Sequence, residues 1–313
     1  MPTYEQYIED PVLTAIAVAY KNPAYSLIAD RVLPRVRVGS LSFKYQDYNV
    51  ADHYTVPDTR VGRRSSVNLV EIDGDEKTAK CDDYGLGIPL DNDTIAEAEK
   101  KGYDPRRGAV ERSANLLMLD REIRVAGVVF NAANYDASTK VQLSGTSQFS
   151  DTANSDPIGQ VTDLLDACLF RPNKLVFGQT AWSQTARHPD IVAAVQHNSG
   201  TKGRATRQQV ADLFEVQEVL VGESRVNQNK PGQAASLARV WGKHISGLFI
   251  DETVNAETGG ITFGMTAQYG ERVGGTKQTD IGLRGGQIVR AGETVKELVI
   301  ANRAGFFIQD AVA

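Results

Sequence analysis

Residues 104–131 read DPRRGAVERSANLLMLDREIRVAGVVFN, and this stretch decides the fold. Asp104 can act as an N-cap and Pro105 fits the first helical turn, so the stretch predicts a helix from about 104 to 131. Such a helix is about 38 Å long and strongly apolar on one face only, which indicates a strut on which a sheet packs. The predicted stripe, broadened by Leu117 and Val128, recurs at three- and four-residue spacing: Ala109, Arg112, Leu116, Leu119, Ile123, Ala126 and Phe130.

Two alternating runs precede this helix and flank a polar segment. Residues 41–49 (LSFKYQDYN) and 66–72 (SVNLVEI) alternate as strands do, so they predict a long β-hairpin. Its tip, residues 51–65, is far longer than a tight turn, and loops above about 12–15 residues are usually functional. We therefore expect a projecting arm whose tip carries three basic residues: Arg60, Arg63 and Arg64.

The N-terminal 40 residues are rich in apolar side chains but are interrupted by Pro23 and Pro34. Asp10 as N-cap and Pro11 at the first position predict a short helix over residues 11–20. The segment is too broken to form a core alone, so it must be buried against the body of its own chain or against a neighbour. We expect that it and the hairpin find their burial partners on other molecules.

Helices and short apolar strands alternate after the long helix, which predicts an α/β domain. The predicted elements are helices at 156–169 and 181–196 and strands at 174–177, 216–221 and 245–250. Residues 258–313 are glycine-rich and alternating, with turns at Gly282, Gly285 and Gly286 and a terminal strand at 306–312. They predict antiparallel strands that return to the sheet packed on the long helix, which makes the whole chain α+β.

The charge distribution argues against a protein that grips nucleic acid. The formal net charge is −5, whereas a protein that wraps around DNA usually carries a strong basic excess. Residues 71–104 hold seven more acidic than basic side chains, and the simplest interpretation is a solvated surface. Residues 171–207 hold five more basic than acidic side chains. This segment is an ordinary surface, a nucleic-acid patch, or a partner for the acidic stretch of an adjacent copy.

No motif for chemistry stands out, so the sequence predicts no catalytic residue, no cofactor site and no metal site. Cys81 and Cys168 lie far apart and outside any CxxC spacing. P-loop, GxSxG and dinucleotide-binding patterns are absent from the sequence. The N-terminus is polar and acidic, so we expect no signal peptide, and no apolar run approaches a membrane span. The four histidines show no ligand spacing: His53, His188, His197 and His244.

The order of these elements resembles the major capsid proteins of tailed bacteriophages, of the Hong Kong 97 type. The resemblance spans residues 10–313 and rests on an ordered set of stretches: DPVLTAIAVAYKNPAYSLIADRVLPRVRV (10–38), the long-helix stretch, KLVFGQTAWSQTARHPDIVAAVQ (174–196), VWGKHISGLFID (240–251) and the glycine-rich C-terminal strands.

The resemblance implies an α+β Hong Kong 97-like fold with four parts. These are an N-terminal arm (1–40), a hairpin called the E-loop (41–88), a peripheral (P) domain with the long spine helix (89–134 and 251–313), and an α/β axial (A) domain (135–250). It also implies inter-subunit contacts, for which the sequence offers these candidates: Arg60, Arg63, Arg64, Asp82, Asp83, Arg106 and Arg107.

The implied function is a shell subunit and not an enzyme. Copies of the chain would form pentamers and hexamers of an icosahedral head, assembled in the host cytoplasm, around DNA held without sequence-specific contacts. The implied partners are further copies of the chain, a scaffold protein, a portal and a decoration protein, with no membrane.

Two departures from the family matter. The sequence begins at the arm, so we expect a separate scaffold if one is used. No local pattern around Lys44, Lys77 or Lys80 supports the family's Lys–Asn cross-link, so we expect none. Two alternatives stay open: an encapsulin-type compartment, which shares the fold, and a cytosolic α/β enzyme.

Overall fold

Two sheets and a long helix organise the chain. The computed structural model describes residues 7–20, 26–47, 56, 58–62, 66–67, 69, 75–195, 203–230, 232–253 and 260–313. Its α-helices are α1 (Pro11–Ala19), α2 (Ala29–Val32), α3 (Asn92–Lys100), α4 (Pro105–Val129), α5 (Pro157–Ala167), α6 (Gln179–Thr185), α7 (Pro189–Val195) and α8 (Arg207–Leu213).

The strands fall into four groups by position along the chain. The first five are β1 (Ile8–Glu9), β2 (Arg35–Val38), β3 (Ser42–Asp47), β4 (Asp75–Lys80) and β5 (Asp82–Asp91). The central strands are β6 (Lys140–Gln142), β7 (Lys174–Gly178) and β8 (Glu218–Gly222), followed by a short pair, β9 (Arg225–Asn227) and β10 (Leu237–Arg239). The last are β11 (Ile245–Leu248), β12 (Gly264–Thr279), β13 (Gly286–Val299) and β14 (Gly305–Gln309).

The first sheet is antiparallel and carries the long helix on one face. Its strand order is β1-β12-β13-β5, and β2 adds to β12 in parallel. The turn between β12 and β13 contains Gly282 and Gly285 at φ values of 66° and 70°, a conformation that favours glycine. This confirms the predicted glycine turn. Helices α1 and α4 pack side by side on β12, β13 and β5.

The predicted limits of the long helix are confirmed, and the predicted stripe is buried only in part, at Ala109, Leu117 and Ala126. Asp104 accepts a hydrogen bond from the Arg106 N–H at 2.9 Å, and Pro105 opens the helix. Leu116 and Ile123 are 54% and 40% exposed. The buried positions recur as adjacent pairs every four residues and include three polar side chains, which is why apolar spacing alone misplaced part of the face: Ser113, Arg121 and Glu122.

The N-terminal segment lies on its own chain, which corrects the expectation of burial on another molecule for the part that the structure describes. Asp10 caps α1 as predicted, with its carboxylate accepting from the N–H of Val12 at 2.8 Å. Leu13 and Ala17 are buried in a cluster with Ala109, Val110 and Val289. The apolar side of α1 therefore finds its partners on the spine helix and on β13.

The second sheet forms the core of the predicted α/β domain, with strand order β6-β14-β11-β7-β8. Strand β14 pairs with β11 and β6, so the terminal strand does not return to the sheet on the spine helix, as the sequence pattern suggested. Its residues Phe306 and Ile308 face one apolar core, while Phe307 faces the other. A strand buried on both faces fits the middle of a covered sheet.

Two further predictions need correction. The strand that pairs with residues 42–47 is Asp75–Lys80, and not residues 66–72, of which only 66, 67 and 69 are described, outside any strand. The single helix predicted at 181–196 is two helices, α6 and α7. Pro189 has no N–H to continue a helix and instead opens the second one.

Candidate inter-subunit surfaces

The hairpin of β3 and β4 packs on the body of the chain at its base. Phe43 and Ala79 join a small buried cluster that includes Met265, Ala267 and Leu298. In the segment that joins the two strands, Val67 and Leu69 are 65% and 91% exposed. Exposed apolar side chains close together in the chain make this segment a candidate for a surface that another molecule covers.

The predicted basic tip is described only in part. Arg60 is exposed, and its backbone N–H donates to the carboxylate of Asp58 at 2.9 Å. Arg63 and Arg64 lie outside the described residues. Whether these three side chains act together stays a prediction.

Asp82 and Asp83 begin β5, the edge strand of the first sheet, and both have partners on their own chain. Asp82 pairs with Lys296 at 3.0 Å, and Asp83 accepts from the Thr294 hydroxyl at 2.6 Å. The pair with Lys296 is exposed and contributes little to stability. Both aspartates are therefore accessible to another subunit, although each already has a partner on its own chain.

Arg106 and Arg107 lie at the start of the spine helix, near the opposite end of β5. Arg106 donates to Gln287 at 3.1 Å, and Gln287 pairs in register with Leu90 near the end of β5. Arg107 pairs with Glu111 at 3.1 Å. Eight residues of β5 separate the acidic and basic candidates, about 27 Å at strand spacing. The structure therefore does not gather the described candidates into one site.

A buried network of charges joins the arm, the spine helix and the first sheet, and sequence reasoning missed it. Arg121 is buried and contacts Asp30, and it donates to the Leu33 carbonyl and the Thr266 hydroxyl, each at 3.0 Å. Arg35 joins Asp30 to Glu293, with both distances at 2.9 Å. In the sequence, the one hint of this network is that two charged residues, Arg121 and Glu122, stand together in the middle of the long helix and interrupt its apolar pattern.

Glu122 connects three parts of the chain at one buried carboxylate. It accepts from the backbone N–H groups of Ile28 and Ala29, at 3.1 and 2.8 Å, and so caps α2. It also accepts from the indole N–H of Trp241 at 2.6 Å, in the segment between β10 and β11. Burial raises the pKa of Glu122, while the donated hydrogen bonds lower it by less.

The carboxylate of Asp30 makes the network sensitive to acid. Partial burial raises the pKa of Asp30, but the charges of Arg121 and Arg35 outweigh that effect and bring the pKa to about 2. The same balance holds at Glu293, where burial raises the pKa and the charges of Arg35 and Arg272 lower it further. Both groups therefore stabilise the fold as anions.

We expect Asp30→Asn to be less stable than the wild type by about 1–3 kcal/mol at neutral pH, because hydrogen bonds to charged groups contribute that much. A lowered folded pKa gives a contribution that is complete above the unfolded value of about 3.9 and is lost as pH falls through about 2. Urea unfolding of both proteins over that range should show the difference closing. A difference that stays constant down to pH 2 would contradict the assignment.

The described histidines serve structure. His188 is fully buried, and its Nε2 lies 3.1 Å from the Ser155 hydroxyl. His244 accepts from the Asp310 N–H at 2.9 Å. His53 and His197 lie outside the described residues. Within the described ranges, no cluster of three or more His, Cys, Asp or Glu side chains could hold a metal ion.

No helix in the part of the chain that the structure describes is both long and apolar enough to cross a membrane.

Comparison with curated proteins finds two phage relatives. The chain is 45% identical over 305 residues to the major capsid protein of Pseudomonas phage JBD67, covering 97% of each. It is 27% identical over 242 residues to the major capsid protein of Burkholderia phage BcepMu, covering 76% of this chain and 75% of the other. No family model matches.

Comparison with solved structures bears on the fold. A phage-related protein of Bordetella bronchiseptica RB50 superposes with a TM-score of 0.77 at 21% identity, covering 98% of this chain and 99% of the other. A chain of the capsid structure of cyanophage P-SCSP1u gives a TM-score of 0.55 at 10% identity, covering 91% of this chain and 88% of the other. At these identities the likeness establishes the architecture alone.

Proposed function

The chain belongs to the family of phage major capsid proteins, and from this premise we propose that its copies form pentamers and hexamers that close an icosahedral head around double-stranded DNA. As a member of that family it is a structural shell protein and not an enzyme, and it assembles with copies of itself. The encapsulin alternative has less support, because both curated relatives are proteins of phages.

The observation that carries the proposal is the hairpin. Its base packs on the body through Phe43 and Ala79, while Val67 and Leu69, in the segment that joins β3 to β4, are exposed on the isolated chain. When each copy reaches over the next with such an element, the contact is head-to-tail, and head-to-tail contacts close into rings when the geometry allows. The buried side of the N-terminal helix lies on its own spine helix, so the proposed contact does not depend on that helix.

The division into parts also needs adjustment. We propose that the E-loop begins near residue 41 and ends at Cys81, because β3 and β4 pair with each other while β5 belongs to the first sheet. The P domain then includes β5, the spine helix, β12 and β13. The A domain includes the second sheet with the terminal strand β14.

We propose further that the head encloses DNA without binding it tightly, since a net charge of −5 provides no general attraction for phosphates. A scaffold protein, a portal and a decoration protein remain proposed partners. The relationship to phage capsid proteins is also the basis on which we propose assembly in the host cytoplasm. The assembled head is part of the virion.

The hairpin can be tested by changing its exposed apolar residues. We expect Val67→Ser/Leu69→Ser to fold with a free energy of unfolding within about 0.5 kcal/mol of the wild type, because both side chains are exposed. Closed shells should be lost, because the contact between the hairpin segment and the neighbouring copy loses its two apolar side chains. Sedimentation and negative-stain microscopy measure shells, and urea unfolding measures stability.

A matched control keeps the apolar character at the same positions. Val67→Ile/Leu69→Met should form shells like the wild type. If the serine variant also forms shells at the wild-type yield, the hairpin does not make the proposed contact.

A further inference from the structure

Strands β9 and β10 form a ribbon that projects from the second sheet. They pair only with each other among the described strands. Most of the ribbon is exposed, including Leu237 at 60%. An isolated two-stranded ribbon is marginally stable in water, so an element of this kind usually packs against something else.

The ribbon carries charge of one sign. Residues 224–240 contain no Asp or Glu and hold three cations: Arg225, Lys230 and Arg239. Arg239 is half-buried and donates to the Glu223 carbonyl at 3.0 Å at the base. Arg225 and Lys230 are exposed and face outward from the ribbon.

The opposite edge of the same sheet carries the opposite charge. Between Lys140 and Arg171 the sequence holds four aspartates and no Lys or Arg. Within this stretch α5 packs on β14 and on residues 137–139, next to the edge strand β6. Asp163 is exposed on the outer side of α5.

The remaining three aspartates of this stretch have their own partners. Asp156 caps α5, accepting from the Gly159 N–H at 2.8 Å. Asp166 pairs with Arg171 at 2.9 Å, and Asp151 accepts from the Ala153 N–H at 3.1 Å. Arg171 also contacts Glu215, shortly before β8, so Asp166 does not belong to the β6 edge. Asp163 is the aspartate of α5 that can be changed without removing a cap or an ion pair.

The two surfaces are placed for contact between copies. The ribbon leaves the end of β8, the edge strand at one side, and α5 packs on β14 toward the other side, three strand spacings away, about 14 Å. Surfaces on opposite edges cannot meet within one chain, but they meet when copies are arranged head-to-tail around a ring. Opposite charges at such a contact favour the correct neighbour and speed encounter.

We propose that the β9–β10 ribbon of one copy docks on the acidic outer side of α5 of the next copy around the ring. This inference rests on the proposed ring assembly and adds a second contact to that of the hairpin. The binding partner of the ribbon is a second copy of this chain. The chain itself carries the complementary negative charge on α5, and a ring of copies would bring that surface next to the ribbon.

A charge swap tests the docking in the full-length chain. Arg225→Glu/Lys230→Glu should reduce the yield of closed shells at low salt by about tenfold, because two attractive contacts become repulsive. Asp163→Lys should also reduce it, by a smaller factor. The triple variant that combines them should recover much of the yield, because the charges face each other again with the signs exchanged.

Controls separate docking from net charge and from folding. Lys100→Glu/Lys101→Glu, at the exposed C-terminal end of α3, changes the net charge as much as the ribbon variant does and should assemble normally. Urea unfolding of the unassembled subunits should give the same midpoint for every variant. An equal loss of shells in the α3 control would overturn the proposal.

Two other results would also overturn it. One is a triple variant that assembles no better than the ribbon variant. The other is a ribbon variant that assembles normally but no longer retards duplex DNA in a gel when the wild type does, which would make the ribbon a DNA contact. Absence of shells from the wild type would count against the ring assembly itself, whereas wild-type shells with an ineffective swap would count against the docking alone.

Discussion

Glu122→Ala is expected to lower the free energy of unfolding of the unassembled subunit by about 3–5 kcal/mol, because it leaves several buried donors without a partner. Glu122 is fully buried and accepts from Ile28, Ala29 and Trp241, with the Ser224 hydroxyl at 3.5 Å. Each unsatisfied buried donor costs about 1–3 kcal/mol. Urea unfolding followed by tryptophan fluorescence measures the loss, since Trp241 is itself one of the donors.

Two further variants make this test specific. Glu122→Gln keeps one acceptor oxygen and nearly the same shape, so its cost should be smaller, about 1–3 kcal/mol. Asp120→Ala removes a carboxylate on the same helix that is 53% exposed and paired with Arg124, and it should cost under about 1 kcal/mol. A loss in Glu122→Ala no greater than in Asp120→Ala would show that the three-way connection contributes nothing to stability.

Local signals predicted the helix ends well because caps and prolines act within a few residues. Asp10 with Pro11 and Asp104 with Pro105 each fixed a helix start that the structure has. The buried face of the spine helix depends instead on what packs against it. Arg121 and Glu122 are buried because the arm and the turn at Trp241 bring partners from distant parts of the sequence.

Strand pairing was predicted less well for the same reason. The segment DEKTAK (75–80) has no apolar alternation and forms β4 because β3 lies beside it. Strand β14 has the apolar pattern of a buried strand, but that pattern does not say which of two sheets it joins. The inter-subunit candidates were chosen by charge, and the structure shows Asp82, Asp83, Arg106 and Arg107 with partners on their own chain.

Gly178→Ala is expected to destabilise the subunit by about 3 kcal/mol, because its methyl group would enter space that backbone occupies. A Cβ at Gly178 would lie 2.2 Å from the Gly242 carbonyl oxygen and 2.5 Å from that of Trp241. Gly178 ends β7 and its N–H donates to the His244 carbonyl at 3.0 Å, so the strand cannot withdraw without losing that bond. Urea unfolding of the unassembled subunit gives the change directly.

The matched control is Gly127→Ala in the spine helix. No atom lies within 4 Å of a Cβ at Gly127, and alanine is the better helix former, so this variant should gain about 0.5–1 kcal/mol. Opposite signs for the same chemical change would show that space at the 241–242 turn, and not glycine flexibility, decides the result. Because that turn holds the Trp241 indole on Glu122, the losses in Gly178→Ala and Glu122→Ala should also fail to add in the double variant. Strict additivity would mean that the turn and the carboxylate are independent.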